Sequence, residues 1–259
     1  MDSRFRGNDR KRNRNDKEIF MEHGIVLPPE ILGYFKNFPV TNTLLVSWIT
    51  MAVIIIISFL ATRKMQLVPS GLQGLLEMVI DFGYTTVSDL SGSKKAKVFF
   101  PIVMTFFLFI LFSNWLGLLP GFATVTFKGE PLLRSMNSDL NMTLALALTS
   151  AVLTHAFALY YLGLLEYLKK WFTLNPIFLF VGLLEIVGEF TKIVSLSFRL
   201  FGNIFAGEVV LATISSIFAF LVPLPFYFLE IIVGFVQAAV FMMLTLVFMV
   251  LLSEKHEAH

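Results

Sequence analysis

The chain has 259 residues, 56% of them hydrophobic, with 29 Phe and a mean hydropathy of +0.78, which marks an integral membrane protein and excludes a soluble globular domain. It contains no Cys, so neither a disulfide framework nor a Cys-ligated metal or cluster is available. The formal charge of +2 is close to neutral and its basic excess falls in residues 1–20, so nothing points to a nucleic-acid partner.

Residues 1–20, MDSRFRGNDRKRNRNDKEIF, hold seven Lys or Arg in the first seventeen positions and no apolar core of signal-peptide length. They predict a basic, disordered extension, with Met21 reading as an ordinary start for the segment 21–41. From 42 to 259 a single membrane domain is expected. Its first span is 42–62, closed by Arg63 and Lys64. In 69–90, Leu72, Leu75, Leu76, Val79, Gly83, Val87 and Leu90 follow the helical period, and Gln73, Glu77, Asp81 and Thr85 take the opposite face. That amphipathic helix is too polar to span. Its acidic polar face suits a partner better than lipid headgroups.

The second span is 98–119, preceded by Lys94, Lys95 and Lys97 and ended by Leu-Pro-Gly; a polar loop, 122–138, follows. The third, 139–168, carries Asn141 near one end and His155 near the middle. His155 could relay protons, but such a residue is more often a neutral histidine hydrogen-bonded between helices. The run 176–221 would extend roughly 69 Å as one helix, against a hydrocarbon core of roughly 30 Å. It must either tilt steeply or break near the turn-like pair Gly202-Asn203. Pro223 and Pro225 mark a turn, and 226–252 is the last span, with Glu230 and Gln237 on one face.

The run 176–221 holds Glu185, Glu189, Lys192, Arg199, Asn203 and Glu208. An ionisable group at bilayer depth costs on the order of 3 kcal/mol or more, so these residues mark an ion pathway before they mark a lipid-facing surface. Arg199 lies within one residue of the run's midpoint, too deep to snorkel easily, and stays charged at any physiological pH. Glu185, Lys192, Ser195, Arg199 and Asn203 share one helical face, whereas Glu208, nine residues past Arg199, points the opposite way. Two separate polar environments follow from that phase. For Glu185, Glu189 and Lys192 the competing reading is local pairing that only joins helices.

The stretch SLSFRLFGNIFAGE, with SNWLGLLPG at 113–121, SDLNMTLALAL at 138–148 and Gln237 in the final helix, resembles subunit a of the membrane sector of F-type ATP synthases. The resemblance runs from about residue 67 to 254. It implies an all-α membrane protein of about five spanning helices plus an amphipathic surface helix, the last two spans forming a long, strongly tilted hairpin curved around a rotor. It also implies a proton-channel stator, with Arg199 separating two offset half-channels that serve the carboxylates of a c-ring. Glu208 and Glu230 would line one half-channel, Asn203 and Gln237 would stand near Arg199, and Glu185 would lie near the other half-channel. Ser195, on the Arg199 face, joins this pathway; His155, Glu189, Lys192, Asn114 and Asp139 are further candidates. The implied partners are the c-ring, peripheral-stalk subunit b, the remaining synthase subunits and membrane lipid.

No G-x-x-x-x-G-K-[ST] loop is present, so ATP hydrolysis by this chain itself is not expected. There is no H-E-x-x-H motif, and His23, His155, His256 and His259 are scattered, so neither a metal site nor a cofactor is expected. The rival function is a secondary transporter that binds an anion at Arg199, but no paired interrupted helices or internal repeat support it. Lys and Arg outside the spans number ten on the amino-terminal side and eight on the other; without residues 1–20 the balance is three against eight. That balance places the amino terminus outside and the carboxyl terminus in the cytoplasm, in an energy-coupling membrane such as the bacterial plasma membrane.

Overall fold

The computed structural model describes residues 31–35, 38–63, 65–119, 126–127, 130–131, 133–171, 176–217 and 221–254. The extension 1–20, Met21, His23, His256 and His259 lie outside them. Five of the described helices are long and apolar enough to cross a membrane. They are α1 (Asn42–Thr62), α2 (Gly71–Gly117), α3 (Leu140–Leu162), α5 (Pro176–Ile217) and α6 (Pro223–Leu252), with the short α4 (Leu164–Trp171) between α3 and α5. The protein is an all-α integral membrane protein. Among the described residues strands are confined to two small antiparallel pairs, β1 (Ile31–Phe35) with β2 (Phe38–Thr41) and β3 (Thr126–Phe127) with β4 (Glu130–Pro131), neither of which was expected from the sequence.

Helix boundaries follow local chemistry. Thr41 ends β2 and caps α1, its hydroxyl accepting from the Leu44 N–H at 3.3 Å. The amphipathic stretch and the second span, expected as separate helices, are two helical pieces of α2 parted by a kink at Gly92, whose φ of 74° only glycine adopts without strain. Gly163, at φ 79°, does the same for the third span. What reads as one helix over 139–168 is therefore α3 plus α4. α5 passes through Gly202-Asn203 without a break, so the break alternative fails: its 42 residues extend about 63 Å, twice the hydrocarbon thickness. Pro223 and Pro225 do not form the turn. They open α6, where the missing N–H is one that a first turn leaves unpaired anyway.

α2 and α6 make the most extensive contact, with α3, α5 and α1 packed around them. Phe99, Val103, Phe106, Phe107 and Ile110 of α2 meet Phe241, Leu246 and Met249 of α6 and Leu196 and Leu200 of α5 in one buried cluster. In lipid such packing gains mainly by close contact, since hydrocarbon is as apolar as Leu. Hydroxyls add direction: Ser150 pairs with Thr245 at 2.9 Å and Thr143 with Ser197 at 3.2 Å, each worth about 0.6 kcal/mol on average for such bonds. The surface part of α2 packs through Val79, Gly83 and Val87, while Leu72, Leu75 and Leu90 stay exposed, so only part of its apolar face meets this chain.

Candidate functional site

At the end of the bundle where α2 stops and α3 begins, a cavity of about 10 Å³ is lined by Asn114, Gly117, Leu118, Ser135, Ile204, Glu208 and Glu230. Its wall is a polar lattice. Asn114 donates from Nδ2 to the Gly234 carbonyl of α6 at 3.0 Å, and Asn137 donates to Asn114 Oδ1 at 2.7 Å and to Ser113 Oγ at 3.3 Å. Residues 135–139 form a tight 3-10 turn, with the Ser135 carbonyl accepting from the Ser138 hydroxyl at 2.9 Å. Arg134 Nε donates to Ser138 Oγ at 3.2 Å, and the Ser138 hydroxyl and the Arg134 charge both face Glu208. Glu208 thus stands opposite the face of Arg199, as the helical phase requires, with Glu230 of α6 beside it.

Room for these groups comes from glycines on three helices. A Cβ on Gly207 would collide with the Glu230 carboxyl; one on Gly117 would stand 2.8 Å from Ser135 Cβ; one on Gly234 would stand 3.1 Å from Asn114 Cβ. Glu230 is buried, 9% exposed, and its Oε1 has no hydrogen-bond partner among the described residues. Asp139 caps α3 by accepting from Asn141 N at 2.9 Å, and its other oxygen accepts from the Thr43 hydroxyl of α1 at 2.9 Å.

Arg199 occupies the exposed face of α5, together with Ser195 and Asn203. Gln237 reaches it from α6, donating from Nε2 to the Arg199 backbone carbonyl at 2.9 Å. The contact is with the main chain, so the guanidinium itself is left to point outward from the bundle. Toward the other end of α5, Lys192 Nζ meets Glu189 Oε1 at 2.5 Å and sits 4.5 Å over the Phe248 ring. His155 lies 3.8 Å from the Glu189 carboxylate through Nε2, and its Nδ1 pairs with Tyr167 OH of α4 at 3.0 Å. Glu185 is half-buried on the same helix. Among the described residues no group of three or more His, Asp and Glu is placed to hold a metal ion.

Of the sequence candidates, Asn114, Glu208 and Glu230 converge on the cavity, Arg199 and Gln237 meet at the α5–α6 seam, and His155, Glu189 and Lys192 form a separate cluster. Arg134, Ser135, Asn137 and Ser138 were not foreseen. The only signal was their polar run just ahead of Asp139. Nothing local ties Ser135 to Gly117 or Asn137 to Asn114.

Residues 44–250 match the family model described as ATP synthase A chain. The chain is 38% identical over 222 residues to ATP synthase subunit a of Gloeobacter violaceus, covering 84% of this chain and 86% of that one. It is 36% identical over 223 residues to ATP synthase subunit a of Moorella thermoacetica, covering 86% and 95%. Against ATP synthase subunit a of Syntrophobacter fumaroxidans the identity is 32% over 235 residues, covering 89% and 92%. With most of its length inside the family match and its relatives aligned nearly end to end, the chain belongs to the ATP synthase A chain family.

Proposed function

We propose that the chain is the proton-conducting stator subunit of a rotary ATP synthase, itself without catalytic activity, set in a bacterial plasma membrane with its carboxyl terminus in the cytoplasm. The observation that carries this reading is the opposition on α5 of an outward-facing Arg199 and a cavity-facing Glu208. A cation that cannot deprotonate, on the exposed face of a membrane helix, requires an anionic partner from outside the chain. A ring of subunits each carrying one carboxylate supplies it, and peripheral-stalk subunit b and the remaining synthase subunits hold the stator in place.

In this mechanism protons enter through the Glu208–Glu230 cavity, load a ring carboxylate, and leave through a second polar route near Glu185, with Asn203 and Ser195 flanking Arg199. The guanidinium attracts each ionised carboxylate that arrives and repels a proton that would cross directly. The driving force is about 2.3 kcal/mol per charge per 100 mV, so a leak past Arg199 would dissipate the work of rotation. The test measures ATP synthesis in vesicles that hold the whole complex, and passive proton flux in the same vesicles after the soluble ATPase is stripped. Arg199→Ala should abolish ATP synthesis while passive conductance persists; a normally assembled variant that keeps synthesis would overturn the reading.

A further inference from the structure

Ser135 is 4% exposed, and its hydroxyl oxygen has no hydrogen-bond partner among the described residues. Glu230 Oε1 is in the same position, and both residues line the small cavity that Glu208 and Asn114 also reach. Buried polar atoms without partners are uncommon because each retains the cost of its lost hydration. Two of them on one cavity point to a bound molecule that satisfies both. The volume of about 10 Å³ is about the room one water needs.

The hydroxyl is placed there by construction. The Ser135 carbonyl is held by Ser138, from its hydroxyl at 2.9 Å and its N–H at 3.3 Å, which fixes the backbone of the turn. On the facing helix, a Cβ at Gly117 would stand 2.9 Å from Ser135 Oγ and 2.8 Å from its Cβ, so the serine reaches the cavity only because α2 has no side chain at that point.

We propose that Ser135 is a positioning residue that holds one water against the Glu230 carboxyl, and that this water is the last carrier of protons into the Glu208–Glu230 pair. A proton arriving as hydronium passes to a carboxylate oxygen, which becomes a carboxyl O–H; the remaining neutral water keeps its hydrogen bond to Ser135 Oγ. The serine neither gains nor loses a proton in the cycle. This inference rests on the cavity being the entry route proposed above.

Its test is passive proton conductance per complex in ring-containing vesicles stripped of the soluble ATPase, with Glu208→Gln measured in parallel. Ser135→Ala should slow conductance about tenfold, the equivalent of one lost hydrogen bond in a charged network, and Ser135→Thr, which keeps the hydroxyl, should restore most of it. Ser135→Ala at the parental rate beside a slowed Glu208→Gln overturns the role of Ser135 and leaves the route standing. Both variants at the parental rate overturn the route and the proposal with it. Should the alanine variant fail to assemble, a high-resolution map of the parental complex decides: density within hydrogen-bond distance of both Ser135 Oγ and Glu230 supports the proposal, and an empty cavity ends it.

Discussion

The Gln237 side-chain amide donates to the backbone carbonyl of Arg199 at 2.9 Å, so the last helix grips the main chain at the residue whose charge the proposed mechanism needs. Gln237 is 6% exposed, and a side chain that buried makes a hydrogen bond worth about 1 kcal/mol net. Gln237→Leu keeps the volume but removes the donor. It should loosen α5 against α6 at Arg199 and reduce coupled ATP synthesis severalfold without abolishing it; synthesis at the parental rate per assembled complex would show that the grip is dispensable.

Glu208→Gln and Glu230→Gln each remove one carboxylate from the cavity and leave Arg199 untouched. Each should slow proton entry, and neither should produce a leak, because the barrier lies elsewhere. Rates of ATP-driven proton pumping and of passive back-flux, measured on the same vesicles between pH 6 and 9, separate the two effects. Parental pumping in both single variants across that range would remove these residues from the pathway.

Arg199→Lys keeps a positive charge yet loses the planar, weakly hydrated fork, and a desolvated ammonium can give up its proton. Severe loss of coupled synthesis is expected. A Lys variant that sustains parental synthesis would mean that charge alone, without guanidinium geometry, is sufficient.

Gly207→Ala would set a methyl group onto the Glu230 carboxyl, which must then move out of the cavity. The variant should conduct as slowly as Glu230→Gln. Shortening the acid in the double variant Gly207→Ala with Glu230→Asp should recover part of the loss, giving a non-additive cycle. Strict additivity of the two changes would argue against the contact.

Asp139 spends both oxygens on structure, one on the α3 cap and one on the Thr43 hydroxyl of α1. Asp139→Ala should therefore cost about 1 kcal/mol for the cap alone, with a further loss as α1 is released. The expected outcome is lower heat tolerance and poorer assembly, with unchanged proton flux per assembled complex. Reduced flux in fully assembled complexes would return Asp139 to the conducting path.

What the sequence revealed was what a single helix can encode. Arg199 and Glu208 lie on one helix, so a period of 3.6 residues was enough to place them on opposite faces, and α1 was legible to the residue because Thr41 and Arg63 bound an unbroken apolar run. The bend at Gly92 falls in the gap the sequence leaves between the amphipathic helix and the second span, but the bend at Gly163 was missed because helical periodicity continues past it and only the backbone angle records the turn. Ser135 was invisible for another reason. Its significance comes from an absent side chain at Gly117 and a carboxyl at Glu230, far along the chain in both directions, and no local pattern carries that relation.

The outward-facing Arg199 also bears on biogenesis. Among the described residues it makes no ion pair within the chain, so a newly inserted copy would present a bare guanidinium to hydrocarbon on α5. That exposure is costly, and local thinning of the bilayer and water defects relieve it only in part until an anionic partner arrives. Under the proposed function the ring supplies that carboxylate, which gives assembly an order: the chain is best accommodated when it is inserted beside a completed ring.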